Sequence, residues 1–167
     1  MFEWDLRNKV IAGSTALIIL FSVGLYFGKI YQPPAKTDKI YSEALTDYNK
    51  GNYQNAYYLF SRITLFSNLK PIAIYHQAEC AKMLNDDKSE LKQYQLLFNN
   101  YPKHKLSIRS RYLAGQKLLS ENPQLAKKYF ENIIHNAPDT DYAIASEYYL
   151  GVIMIDKYKD DKIIPQS

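Results

Sequence analysis

The chain is 167 residues long, 47% hydrophobic and 14% aromatic, with a formal net charge of +4. That length excludes two large domains, and so small a charge, with acids and bases interspersed and no recognition module, argues against a nucleic-acid partner. The single cysteine, Cys80, excludes an internal disulfide.

Residues 1–9 form a short N-terminal tail, and residues 10–28 predict a transmembrane anchor. Val10 to Phe27 is 18 consecutive residues without a charge. At about 1.5 Å rise per residue such a run covers about 27 Å, close to the ~30 Å hydrocarbon core of a bilayer. A cleaved signal peptide would need small residues in an A-x-A-like arrangement after its apolar core, and Gly24-Leu25-Tyr26-Phe27-Gly28 leads into Lys29 without one. A buried soluble helix would show one polar face, whereas Ser14, Thr15 and Ser22 can all satisfy themselves on helix carbonyls. Trp4, Tyr26 and Tyr31 suit the interface, and Lys29 can snorkel to headgroups. In the linker, residues 29–37, Pro33-Pro34 is expected to stop the helix and stiffen a tether. Arg7 and Lys9 on one side balance Lys29, Lys36 and Lys39 on the other, so charge alone does not orient the segment. A nine-residue tail favours the tail inside and the remainder on the periplasmic or extracytoplasmic side, with a cytosol-facing, organelle-anchored arrangement as the alternative.

Beyond the linker, apolar spacing predicts helices throughout. Lys39 to Lys50 carries Ile40, Ala44 and Leu45 on one stripe, Gly51-Asn52 breaks it, and Tyr53 to Phe66 resumes with Ala56, Leu59, Phe60 and Ile63 at helical spacing. Ile72 to Leu84 and Lys88 to Asn99 make a second pair around Asn85-Asp86-Asp87. Ser107 to Ser120 and Gln124 to Asn136 make a third around Glu121-Asn122-Pro123, where Pro123 suits a first turn because its missing N–H costs little there. Asp141 to Lys157 predicts a last helix that caps the stack, and residues 158–167 a polar C-terminal tail.

One pattern recurs along these pairs. The clearest copy reads Ala44, then Gly51-x-Tyr53-x-x-Ala56-x-x-x-Phe60; later copies carry Ala78, Asn85, Leu91, Tyr94 and Pro102, then Ala114, Ala126, Phe130 and Pro138. Gly51 to Asn85 is 34 residues and Pro102 to Pro138 is 36. Such a period marks stacked helical hairpins, since one hairpin cannot bury its apolar face alone. The pattern resembles the tetratricopeptide repeat (TPR) family: Ala44, Ala78 and Ala114 stand at the small position of the first helix, Gly51 at the turn, and Tyr53, Ala56 and Phe60 in the second helix. Ala126 and Phe130 repeat those second-helix positions, and Gly151 begins a fourth unit. Glu90, where a small residue is usual, and Glu121, in place of the turn glycine, depart from it. The fold class expected is all-α, an N-terminal transmembrane helix followed by an α-solenoid of about three and a half TPR-like hairpins over residues 38–157.

The resemblance implies that the first helices of the hairpins line a concave groove for a protein or peptide partner. The inward positions so assigned are Tyr41, Leu45 and Tyr48, then Ile72, Tyr75, Glu79, Lys82 and Met83, then Ile108, Arg111, Leu118 and Leu119, then Tyr148, Val152 and Ile155. An aromatic and aliphatic lining with a few charges suits an extended peptide or a partner helix. The lysine, asparagine and arginine clamp of chaperone-tail-binding members is not reproduced. With 16 tyrosines in the chain, many are also ordinary packing residues. The basic run Lys103, His104, Lys105, Arg109, Arg111 is a solvated loop or a site for anionic headgroups, an acidic partner or another polyanion.

No reaction is legible. His76 and Cys80, four apart on one helical face, are too few for a zinc site, and Cys80 sits near Ala78 and Ala81 on the packing side. Phosphate loops, nucleophile elbows and metal-binding helix motifs are lacking, so neither catalytic residue nor cofactor nor metal is assigned. The function expected is a membrane-tethered, non-catalytic scaffold of the cell envelope. The alternative is a helical accessory region of a peptidoglycan-active enzyme resembling the lytic transglycosylases, without its catalytic domain. Homo-oligomerisation through the open end of the stack or the membrane segment is also expected as a possibility.

Overall fold

A computed structural model describes the backbone of residues 34–163 and the side chains of residues 35–157. The expected anchor and the tail before it lie outside the described residues. No helix among the described residues is long and apolar enough to cross a membrane.

Those residues form seven α-helices and no strand: α1 Pro34–Asn49, α2 Tyr53–Ser61, α3 Lys70–Met83, α4 Asp87–Asn100, α5 Leu106–Leu118, α6 Pro123–Asn136 and α7 Asp141–Ile163. Each helix packs on the next in chain order, giving three hairpins and a closing helix, an all-helical, TPR-like stack. Local chemistry sets the turns. Gly51 holds φ +82° and Asn85 φ +55°, the left-handed conformation that closes a helix and that glycine and asparagine tolerate best. The third turn uses no such residue, which is why Glu121 is accommodated there. Asp86 caps α4 by accepting from the Ser89 N–H at 3.0 Å, and Asn122 caps α6 by accepting from the Leu125 N–H at 3.0 Å, with Pro123 following at the first helical position.

Small residues let the helices approach. Ala44, Ala56, Ala78, Ala114 and Ala126 are wholly buried, beside the wholly buried rings Phe60, Tyr94 and Phe130. One ring contact recurs within every hairpin: Tyr41 on Phe60 at 5.7 Å, Tyr75 on Tyr94 at 6.1 Å and Tyr112 on Phe130 at 6.1 Å between centroids. Gly115, not singled out by the pattern, is held by the same packing, because a Cβ there would stand 2.8 Å from the Phe130 ring. A Cβ on Gly151 would meet nothing within 4 Å.

The helix limits differ from expectation at three places. Pro34 opens α1 instead of ending the tether, which its fixed φ permits at a first position. The α7 helix continues to Ile163, past the boundary expected at residue 157. Most informative is α2, which stops at Ser61 and not at Phe66. The Arg62 N–H bonds back to Leu59 O and that of Ile63 to Phe60 O, tightening the last turn. The buried ammonium of Lys70 then donates to Ile63 O at 2.7 Å, an end cap supplied from the next helix. Ile63 turns into the core, while Leu65 and Phe66 swing into solvent.

Candidate partner-binding face

Curvature decides which face is on offer. The first helices approach one another closely, α3 with α5 and α5 with α7, more so than the second helices α2, α4 and α6 do. A stack drawn together on one side bends toward it, so the first helices lie on the concave side.

Side chains that bridge one first helix to the next mark that side. Tyr41 and Tyr48 of α1 reach the His76 ring of α3 at 6.1 and 5.8 Å. Arg109 of α5 lies over the Tyr75 ring at 5.3 Å, a cation–π contact. Tyr112 meets Tyr142 at 5.4 Å and Tyr149 at 6.0 Å, and Gln116 Nε2 donates to the Tyr149 hydroxyl at 2.7 Å. These contacts hold the rings still, which lowers the entropy lost when they meet a ligand.

Burial tunes the polar groups beneath. The Tyr94 hydroxyl donates to Glu79 Oε1 at 2.7 Å, and burial first, then that bond, holds the phenol far above its ordinary value. Burial and, less strongly, Glu79 push Tyr75 up to about 12. Burial keeps His76 below the usual imidazole range, and its Nδ1 has no hydrogen-bond partner among the described residues. Cys80 is wholly buried and its thiol is pushed up to about 12, so it is an inert packing group. Among the described residues no three His, Cys, Asp or Glu side chains gather as a metal site would need.

The residues assigned to the groove separate into four sets. Tyr41, Leu45 and Tyr48 are half-buried along α1, and Glu79 is half-buried and Lys82 exposed on α3, all on or beside the concave side. Tyr75 and Leu118 are buried in the core. Arg111 points toward the second helices, donating to Asn132 and standing 4.7 Å over Phe98, so the register on α5 is corrected: Arg109, Tyr112 and Gln116 face inward. On α7, Val152 borders a cleft of ≈ 230 Å³ with Leu119 and Pro123, and Tyr148 is 69% exposed beside Tyr149. Of the repeat-packing set, Tyr53 is half-buried against Tyr48 at 5.5 Å, and the exposed Gly51 serves the turn.

Sequence reasoning missed His76, Tyr112, Gln116, Tyr142 and Tyr149 as bridging residues. A signal was present: Tyr75, Tyr112 and Tyr149 recur at a spacing of 37 residues. The tyrosines also tie neighbouring hairpins elsewhere, since Gln93 donates to the Tyr57 hydroxyl at 2.8 Å and Gln95 to that of Tyr129 at 3.1 Å.

No protein-family model matches the chain, and none of the curated proteins does. Solved structures do. SycD of Yersinia enterocolitica, a type III secretion chaperone in complex with a peptide of the translocator YopD, is 17% identical over 75% of this chain and 97% of that one, with a TM-score of 0.58. PcrH from Pseudomonas aeruginosa is 13% identical over 74% and 96%, with a TM-score of 0.58. PcrH in complex with the chaperone-binding region of PopB is 14% identical over 73% and 97%, with a TM-score of 0.55. At these identities the likeness establishes the fold.

Proposed function

We propose that the chain is a non-catalytic adaptor that holds an extended or helical segment of a protein partner against its concave side. Residues 10–28 tether it to a membrane in this reading, with the repeats on the periplasmic or extracytoplasmic side. The observation that carries the proposal is the set of side chains bridging the first helices, Tyr48 on His76, Arg109 on Tyr75 and Tyr112 on Tyr149, each fixed by a neighbour before any ligand arrives. Rigid amphipathic rings in a curved wall suit an apolar peptide with backbone groups to satisfy. Like-folded chaperones solved with peptides of the proteins YopD and PopB support the same use of the fold. Tethering would raise the effective concentration of a membrane-borne partner without adding contacts.

The test is chemical crosslinking in native membranes followed by purification of the full chain. A stoichiometric protein partner is expected. Recovery of cell-wall glycan in its place would favour the peptidoglycan accessory role, and recovery of neither would contradict both.

A further inference from the structure

The two edges of the stack differ in chemistry. Because successive helices run back and forth, the start of α1 shares one edge with the connection after α2, residues 62–69, and with the connection after α4, residues 101–105. On that edge Leu65 and Phe66 stand 67% and 69% exposed in an irregular segment. Nearby Tyr58 is 57% exposed, with the Arg62 guanidinium 5.8 Å from its ring centroid. The next connection brings exposed Lys103 and Lys105. No acid occurs from residue 48 to 78 or from 91 to 120, so these segments carry only positive charge. Acids enter this edge at Asp38, at the start of α1, and at Asp139 and Asp141, around the connection after α6, so the purely basic stretch is confined to the two connections between them. The opposite edge mixes signs at each turn, with Asp86, Asp87 and Glu121 among Lys50 and Lys88. An apolar pair on a loop tip, flanked by bases, is the pattern of a surface that meets a lipid interface.

We propose that this edge docks on an anionic bilayer. Leu65 and Phe66 enter at the acyl boundary, and Lys103 and Lys105 engage headgroup phosphates. The proposal deepens the tethered reading and rests on it in one respect. Phe27 and Pro34 are seven residues apart in sequence, and at no more than about 3.6 Å per step they lie within about 25 Å of each other. A chain anchored through Phe27 would therefore hold this edge near the bilayer, with the far edge one α1 length, about 24 Å, beyond it.

Single cysteines at Leu65→Cys, Phe66→Cys or, on the far edge, Glu121→Cys take an environment-sensitive fluorophore in the full chain; the buried, inert Cys80 does not compete. Flotation with neutral phosphatidylcholine vesicles reports the tether. Quenching by bromolipids in vesicles containing phosphatidylglycerol reports the edge. The expected result is several-fold stronger quenching at 65 and 66 than at 121, lost in Lys103→Glu/Lys105→Glu and weakened in 1 M salt, where the Debye length is about 3 Å. Equal quenching at both edges of a chain that floats would overturn the proposal and leave the tether standing. Labels at 65 and 66 shielded from water but untouched by bromolipid would also overturn it, since a protein would then cover the loop. A chain that fails to float on neutral vesicles, yet is quenched at 66 on anionic ones, removes the tether and supports the edge.

Discussion

The seam between the first and second hairpins and the seam between the second and third solve the same packing problem with opposite chemistry. At the first, His76 of α3 lies flat on Phe60 of α2, ring centroids 5.0 Å apart and planes 14° from parallel. The last seam repeats that stack with Tyr149 on Phe130 at 5.2 Å and 11°. The middle seam keeps one ring contact, Phe98 on Tyr129 at 5.2 Å, edge-on and not stacked, and adds polar groups. Glu90, in place of a small residue, is buried and pairs with Lys117 at 2.7 Å, while Ser107 and Ser110 of α5 are wholly buried. Burial works against the Lys117 charge, but the hydrogen bonds that its ammonium donates to Asp87 and Glu90 outweigh it and leave its pKa raised. Ring seams hold by area and shape. An ionic seam contributes less net stability, because desolvation offsets its attraction, yet it tolerates removal of one partner poorly.

The sharpest break should come at Ala56, wholly buried in the first hairpin. Ala56→Arg puts bulk and charge where two helices touch and should cost more than about 4 kcal/mol, seen as loss of cooperative melting by circular dichroism. A middle-seam change comes next. Lys117→Ala leaves the buried Glu90 carboxylate without its ammonium; the lysine side chain is 25% exposed, so the loss should be about 2 kcal/mol in urea unfolding, below the range for fully buried pairs. Glu90→Leu with Lys117→Leu should recover most of it. If that double variant is as unstable as the single one, the middle seam is not ionic in its energetics.

The ring seam should be the pH-sensitive one. Burial depresses His76 below its ordinary value, so between the depressed folded value and about 6.5 the unfolded chain binds more protons than the folded chain. Stability is then full above about pH 6.5 and falls as pH drops through that window. Melting temperatures from pH 7.5 to 5.5 should show the decline, and His76→Phe should remove most of it, leaving a residue from His104, which burial and Lys105 also depress. Lys103→Ala, on an exposed loop in neither seam, should stay within about 0.5 kcal/mol of the parent. A larger loss would mean that the basic connection holds the fold and is not a free surface.

The alternation of small and aromatic residues at a period of about three dozen made the hairpins legible, because Ala44, Ala56 and Phe60 and their copies answer to helix contacts that repeat with the chain. The end of α2 was not legible. No glycine or proline stands between Ser61 and Leu69, and the stop is made by Lys70, a residue on the next helix. The register of α5 failed for a related reason. Helical spacing placed Arg111 inward, but a shift of one position lets its guanidinium reach Asn132 and Phe98, and sends Tyr112 to Tyr149. Contacts of that kind depend on a neighbour's angle, which no single helix records.

A partner bound by this stack touches its concave side and not the second helices. Photo-crosslinking residues placed one at a time at Tyr41, Glu79, Gln116 and Tyr149 on the concave side, and at Gln54, Lys92 and Lys128 on the second helices, decide it in native membranes. Adducts to one protein from the first set and none from the second are the predicted result. Adducts confined to the second helices, or equal from both sets, would contradict it.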